Sequence, residues 1–215
     1  MLAHLPPVAR ARLLSGALVV CLLSACASAP TQPTRWSIAG GERAATAAGT
    51  LPPGLQIRVT AAPWINQTGF LYSLDYKAAQ AVEVYAQNQW VDRPPVLIED
   101  LMMRAYAQAR PSPQPARAAG ESRPLALSLR VVEFVQHYVS ATESEARVVA
   151  VATLSASNPP QVRSAMFRAQ VPARTPDAAG GAQAFSEASD QLIEQVFTWA
   201  AGRPPASSPL TCPGW

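Results

Sequence analysis

The sequence predicts an α/β fold: a single domain with a mixed β-sheet of about five strands and two main helices, in the order β-β-α-β-β-β-α. Several short segments alternate apolar with polar residues, which is the period of strands with one buried face. Two longer segments repeat apolar residues at steps of three and four, which is the period of amphipathic helices. Because a helix separates strands of one sheet, at least one parallel crossover is expected and the sheet is predicted to be mixed.

The first element along the chain is a targeting segment. Arg10 and Arg12 precede an apolar run of 13 residues from Leu13 to Ala25. The run is too short for a ~30 Å hydrocarbon core, which needs about 20 helical residues. Its length and basic flank are typical of a secretory signal peptide. A lipoprotein signal, a plain cleaved signal peptide and an uncleaved anchor are the three alternatives.

The end of that run favours a lipoprotein signal. Leu23, Ser24, Ala25 and Cys26 resemble the lipobox of bacterial lipoproteins, which is a branched apolar residue, two small residues and a cysteine. The resemblance implies that the Cys26 thiol is diacylated, that residues 1–25 are removed, and that the new N-terminus is acylated.

Charge and cysteine content exclude two further features. The formal net charge is +3, but Arg10 and Arg12 leave with the signal peptide, so the remainder is close to neutral. No cluster of Lys and Arg marks a phosphate-binding face, and no nucleic-acid partner is expected. Cys21 is removed and Cys26 lipidated, so Cys212 has no partner for an intramolecular disulfide. It is an incidental tail cysteine or pairs with another chain.

Composition divides the rest of the chain. Residues 26–50 are rich in Ala, Ser, Thr, Gly and Pro and are predicted to be the lipidated cysteine and a flexible tether. The apolar patch at 36–38 within this segment can dock on the domain as an edge strand. The folded domain is predicted over 51–202, and 203–215 is predicted to be a disordered tail.

The first half of the domain contains two predicted strands and a loop. Residues 55–59 alternate in polarity and predict a strand. Residues 63–72 form an aromatic loop, and residues 81–91 predict the second strand. The packing residues expected on this second strand are Val82, Val84 and Trp90.

The second half begins with a helix at 94–109, whose prolines are tolerated in a first turn. Three strands follow after a loop, at 125–131, 147–155 and 161–171. The middle one is apolar on both faces, as a covered central strand would be. An amphipathic helix is predicted over 177–201, and the glycine after it ends the helix.

Patterns for catalysis and metal binding are missing from the sequence. His137 is the histidine that remains after signal removal, and a lone histidine at a strand end is usually a surface or hydrogen-bonded residue. No nucleotide-binding, nucleophile-elbow or zinc-protease motif occurs, and no residues have metal-ligand spacing. The adjacent Glu99 and Asp100 diverge on a helix and are expected to be solvated. We expect no enzyme activity, no cofactor and no metal.

The aromatic loop is the candidate contact surface. Its aromatic residues crowd around Gly69 between two strands, and aromatic side chains in loops bury large areas at low entropic cost. They either contact a partner or lipid, or cap the open end of the sheet. The candidate contact residues are Trp64, Phe70, Leu71, Tyr72 and, on the next strand, Trp90.

Three stretches of the chain resemble a known family. One is the lipobox followed by the aromatic-aliphatic residues 35–38; the second runs from 70–72 through Trp90 into the first long helix; the third is AFSEASDQL at 184–192. Together they resemble the ABC-type transport auxiliary lipoprotein family, which includes the lipoprotein of paraquat-inducible operons. The family more often has tyrosines where this chain has Arg35 and Trp36.

The resemblance implies a non-enzymatic accessory role in lipid transport across the bacterial envelope. The implied partners are an inner-membrane ABC permease and ATPase, a periplasmic MCE-domain protein that forms the lipid conduit, and phospholipid as cargo. Ala27 is not the aspartate that retains lipoproteins in the inner membrane, so outer-membrane anchoring is expected. A homo-oligomer would suit a docking role. The alternative is a structural lipoprotein that assists assembly of an outer-membrane or secretion complex.

Overall fold

The computed structural model describes residues 32–78, 80–109, 125–157 and 160–202. The chain separates into units at 1–32 and 33–215, and every described helix and strand lies in the second unit. Within the described ranges there are seven strands and four helices. They are β1 (Thr34–Trp36), α1 (Glu42–Ala48), β2 (Gln56–Ala61), β3 (Gly69–Leu74), α2 (Asp75–Ala78), β4 (Glu83–Trp90), α3 (Pro94–Gln108), β5 (Leu125–Tyr138), β6 (Ser144–Ser157), β7 (Pro160–Pro172) and α4 (Ala178–Ala200).

The strands form one open, mixed sheet around the long strand β5. The order is β1-β4-β3-β5-β6-β7, and β2 pairs with β5 beside β3. The first half of β5 pairs in parallel with β2 and its end pairs in parallel with β3, while β6 lies antiparallel along its other side. The predicted mixed α/β single domain is confirmed, with two strands and two short helices beyond the predicted set.

A register shift between Val131 and Glu133 divides β5 into these two halves. The extra residue is Val132, and a β-bulge of this kind inserts one unpaired residue into the ladder. Because the side chains of a strand alternate, the insertion moves the buried set from odd-numbered to even-numbered positions. Leu129 and Val131 face the core before the bulge, and Phe134 and Gln136 face it after the bulge.

Helices cover one face of the sheet, and the core lies between these two layers. α4 packs on β6 and β7, α3 packs on β2, and α1 lies against both long helices. Buried positions of α4 recur at the helical period, including Phe185, Leu192 and Val196. We call the opposite side of the sheet the open face, because α1, α3 and α4 lie on the other side and polar side chains such as Arg58 and Arg130 lie there exposed.

The predicted start of the domain at residue 51 is too late. β1 pairs with β4, with Trp36 opposite Trp90. An edge strand therefore does form here, but it covers Thr34–Trp36, and the buried Ile38 follows it. α1 follows it, and its Ala44 and Ala48 are fully buried. The alanines that suggested a tether belong to this helix, and their small side chains let it pack closely against α3 and α4. The predicted signal peptide, Cys26 and the tail at 203–215 lie outside the described residues.

Two local expectations for the aromatic region are corrected. Phe70, Leu71 and Tyr72 lie in strand β3 rather than in a loop. Val82 and Val84, expected to pack in the core, are exposed at 44% and 50%. The pairing of β3 with β4 shifts register between Gly69 and Leu71, so a simple two-residue period does not run through β4.

The outer side of β2 is capped by a helix residue. The amide of Val59 donates to Glu99 Oε2 at 2.6 Å. The free side of β2 therefore has a hydrogen-bond acceptor from α3, and Glu99 is not simply solvated as the sequence suggested.

Candidate functional site

Two of the predicted contact residues, Phe70 and Trp90, form the centre of the core. Their rings stack at 4.4 Å between centroids, with 13° between the planes. Phe134 and Phe185 complete the cluster, and these two rings also stack, at 4.2 Å. Phe70 and Trp90 are almost completely buried, so they hold the sheet against α4 and present no surface to a partner.

The other predicted contact residues differ in exposure. Leu71 is buried on the open face, whereas Tyr72 is half-buried and donates its hydroxyl hydrogen to Glu83 Oε2 at 2.6 Å. That hydrogen bond, together with burial, raises the pKa of Tyr72. Trp64 is 44% exposed and Gln67 Nε2 donates to its backbone oxygen at 2.7 Å. Of the five candidates, Trp64 and Tyr72 are the accessible ones.

A buried glutamine, which the sequence reasoning missed, connects the sheet to the start of α4. Gln136 is fully buried, and its Nε2 donates to Ser144 Oγ at 2.8 Å and to the backbone oxygen of Asp177 at 3.0 Å. A Cβ atom at Gly181 would lie 2.3 Å from Gln136 Oε1. A pair of glycines inside a helical pattern, opposite a lone glutamine in an apolar strand, is the sequence signal for this contact.

Two tyrosine hydroxyls extend the same network. Tyr138 donates to the backbone oxygen of Pro176 at 2.8 Å. Its hydroxyl oxygen lies 2.5 Å from that of Tyr85, whose hydroxyl also lies 3.2 Å from Gln136 Oε1. Burial raises the pKa of both Tyr85 and Tyr138. Both phenols therefore stay neutral at physiological pH, and the network fixes the segment that leads into α4.

A row of ionic side chains crosses the open face beyond the β5 bulge. His137 Nδ1 lies 2.9 Å from Asp75 Oδ2, and His137 Nε2 lies 2.9 Å from Glu133 Oε1. Arg147 continues the row, with its guanidinium 3.5 Å from Glu133 and 2.7 Å from Glu145. The row adds side-chain contacts to the backbone pairing that already joins the end of β3 to β5 and β5 to β6.

Glu133 is the carboxylate at the centre of this row. Burial by itself would raise its pKa, but the hydrogen bond from His137 and the charges of His137, Arg147 and Arg168 outweigh burial and lower the pKa. The folded domain therefore favours the ionised form of Glu133 more than the unfolded chain does.

The order of groups in the row does not activate a nucleophile. Ser73 Oγ donates to Asp75 Oδ1 at 2.7 Å, and the same carboxylate contacts His137. In a hydrolase triad the histidine lies between the serine and the carboxylate, so that it can accept the hydroxyl proton; here the carboxylate lies between them. The described residues also contain no group of His, Cys, Asp or Glu that could hold a metal ion.

Two side chains of α4 hydrogen-bond the backbone of the segment before α1 and of the first turn of α1. Ser186 Oγ accepts a hydrogen bond from the Ala39 amide at 3.1 Å, and Asp190 accepts from the amides of Arg43 and Ala44. A shallow depression of about 380 Å³ lies beside this attachment. None of the described helices is long and apolar enough to cross a membrane.

Comparisons with known proteins agree with this fold. A family model described as the ABC-type transport auxiliary lipoprotein component matches residues 39–197. Protein XCC0632 from Xanthomonas campestris, a solved structure of family DUF330, is similar with a TM-score of 0.57 at 19% identity, over 81% of this chain and 88% of that chain.

A second solved structure, described as an uncharacterized protein, is similar with a TM-score of 0.51 at 12% identity, over 69% of this chain and 89% of that one. No curated protein matches the sequence significantly. At these identities the structural likenesses concern the fold alone.

Proposed function

This chain belongs to the ABC-type transport auxiliary lipoprotein family, and from that premise we propose that it is a non-enzymatic docking subunit of an MCE-type lipid transport system, lipid-anchored at Cys26 in the outer membrane. The family gives the coarser role, an accessory lipoprotein of ABC-type transport. The partners under this proposal are a periplasmic MCE-domain protein and the ABC permease and ATPase, with phospholipid as cargo.

The observation that carries the docking role is how early the domain begins. β1 starts at Thr34 and the 39–44 segment is fixed to α4. Only about seven residues then separate Cys26 from the domain, and they span ~25 Å when fully extended. A lipid at Cys26 would hold a domain about 40 Å across close to the bilayer. Such an attachment suits a fixed docking platform better than a carrier that diffuses between membranes.

The side-chain chemistry supports an accessory role without catalysis. The carboxylates of the ionic row contact His137 and Arg147, and Asp75 lies between Ser73 and His137. Energy for transport would come from the ATPase, so this subunit needs no reactive centre. The proposed contribution is position: a rigid sheet-and-helix surface held at one membrane.

Chemical cross-linking in intact cells, followed by membrane extraction and identification of the partners, tests this function. We expect an MCE-domain protein and phospholipid to co-purify with the tagged chain. Recovery of secretion or assembly components in their place would favour the alternative of a structural assembly lipoprotein and contradict the proposal.

A Cys26→Ala variant is the matched control for the anchor. We expect the variant to fold normally, to leave the membrane fraction and to lose the cross-links. An uncleaved signal peptide could retain it at a membrane, so mass spectrometry of the N-terminus accompanies the fractionation. A wild-type N-terminus without acyl chains would overturn the anchor.

A further inference from the structure

The half of the open face before the β5 bulge carries exposed arginines and small residues. Arg58 lies opposite Ser128, and Arg130 lies opposite Val151, which in turn lies opposite Met166. These residues share one side of four adjacent strands, because paired residues point to the same face. We call the surface formed by Arg58, Ser128, Arg130, Ser164 and Met166 the basic face.

The charges of the basic face are uncompensated within the described residues. Arg58 and Arg130 are exposed and form no described ion pair. The open-face positions of β2, β5, β6 and β7 before the bulge carry no carboxylate. The carboxylates of the open face lie beyond the bulge, where they contact His137 and Arg147.

The basic face is broad, because it extends over four adjacent strands. Ser128, Thr153 and Ser164 continue the row of Arg58 across β5, β6 and β7, and the hydroxyl oxygens of Thr153 and Ser164 are hydrogen-bonded at 2.9 Å. Four strands spaced by about 4.8 Å give a width of ~15 Å. Val162 and Met166 are exposed at 70% and 61%, so apolar side chains stand beside the cations at the β7 edge.

These features fit a charged, planar partner with an apolar interior. We propose that the basic face docks on the anionic phospholipid headgroups of the membrane to which the chain is anchored. Arginines attract anionic headgroups, and exposed valine and methionine can enter the boundary between headgroups and acyl chains. The depressions of about 380 and 390 Å³ lie beside α4, away from the basic face.

The docking rests on the proposed lipid anchor, because the short segment after Cys26 is what keeps the domain near the bilayer. A bilayer within ~25 Å of β1 is close enough for a face of the domain to touch it. The expected effect of the basic face is to set the orientation of the anchored domain, with the helical layer directed away from the membrane.

The test uses the full lipidated chain with Cys212→Ser, reconstituted into phosphatidylcholine vesicles with or without phosphatidylglycerol. A bimane fluorophore is attached at Ser164→Cys on the basic face or, as a position control, at Gln183→Cys on α4. We expect a blue shift at position 164 alone, only with phosphatidylglycerol. The shift should disappear in about 0.5 M NaCl, where the Debye length is ~4 Å.

Two charge-matched variants separate this contact from general attraction. Arg58→Gln with Arg130→Gln should lose most of the shift, because each arginine strengthens contact with an anionic surface about fivefold. Arg104→Gln with Arg174→Gln, on the helical layer, should keep it. Equal shifts at positions 164 and 183, or a shift that is insensitive to the first variant, would overturn the proposal.

Failure of the anchor gives a different result. The Cys212→Ser protein without an added cysteine has no free thiol if Cys26 is acylated. Labelling of this protein by bimane would therefore count against the anchor itself. The bimane at position 164 could instead shift on adding a co-purified acidic protein and not on adding phosphatidylglycerol. That result would assign the basic face to a protein partner and contradict membrane docking.

Discussion

Asp190 in the middle of α4 accepts a hydrogen bond from the backbone amide of Ala44 at 3.0 Å. It also accepts a hydrogen bond from the Arg43 amide, so one carboxylate caps the start of α1 from a helix that is far away in the sequence. Gly41, the residue that precedes α1, provides no side-chain cap of its own. The N-terminal part of the described domain is therefore held to α4 at α1 as well as to β4 through β1.

Asp190→Ala should loosen α1 while the sheet remains folded. The loss of a helix cap costs about 0.5–2 kcal/mol, and this carboxylate is buried, which places the expected loss of unfolding free energy at the upper end. Urea denaturation measures the loss, and hydrogen exchange should accelerate at the amides of Arg43 and Ala44. Ser186→Ala, which removes the single bond to Ala39, should have a smaller effect on stability. Unchanged exchange at 43–44 would contradict the capping role.

Gly181→Ala should destabilise the domain by displacing Gln136. The new Cβ would lie 2.3 Å from Gln136 Oε1, and overpacking of a core usually costs about 1–3 kcal/mol. Gly49→Ala is the matched control, because its Cβ meets no atom closer than 3.4 Å and its φ of −57° suits alanine. We expect Gly49→Ala to be neutral or slightly stabilising in urea denaturation.

A double-mutant cycle identifies the cause of that loss. Gln136→Ala alone removes the donor to Ser144 Oγ and to the Asp177 backbone oxygen and should destabilise. Combined with Gly181→Ala, it also removes the clash, so the double variant should lose less than the sum of the two single effects. Additive losses would mean that Gly181 is needed for another reason.

The ionic row should make the domain less stable in acid. The pKa of Glu133 is lowered in the folded state, below its usual value of 4.5. Its contribution is therefore complete above the unfolded pKa and is lost as the pH falls through the folded pKa. The charged groups facing it are His137, Arg147 and Arg168.

Urea denaturation of wild type and Glu133→Gln across this pH range measures that contribution. We expect the wild type to be more stable at neutral pH and the difference to shrink as the pH falls below about 4. Glu143→Gln, at an exposed position between β5 and β6, should change the profile little. A difference independent of pH would mean that Glu133 contributes by packing alone.

Local periodicity predicted the regular part of the fold, and long-range contacts decided the rest. The alternation at 161–171 and the three- and four-residue steps of 177–201 correspond to β7 and α4. α1 could not be predicted, because its cap is Asp190, which lies far away in the sequence. Which residues of β4 face the core was predicted wrongly for a similar reason. Trp90 packs on Phe70 and Phe134, but a register shift in the pairing with β3 separates Trp90 from Val84. The two residues therefore do not share the core-facing side.

Aromatic residues of one short stretch therefore differ in role, and truncation should separate them. Phe70→Ala removes a fully buried ring that contacts Trp90, Tyr85 and Phe185. Such a change costs about 3–5 kcal/mol, a large part of the stability of a domain this size. Trp64→Ala removes a ring that is 44% exposed and should cost much less. Thermal denaturation compares the two variants directly.

Trp64→Ala, compared with a milder change at Phe70, tests whether the aromatic region contacts a partner. In the cross-linking assay, Trp64→Ala should reduce recovery of the transport partner while its melting temperature stays near that of wild type. Leucine at Phe70 keeps most of the buried volume, so Phe70→Leu should retain partner recovery wherever it remains folded. Full recovery with Trp64→Ala would remove this loop from the interface and leave Trp64 as a cap at the end of β2. Loss of recovery with a folded Phe70→Leu would show that core geometry is transmitted to the contact surface.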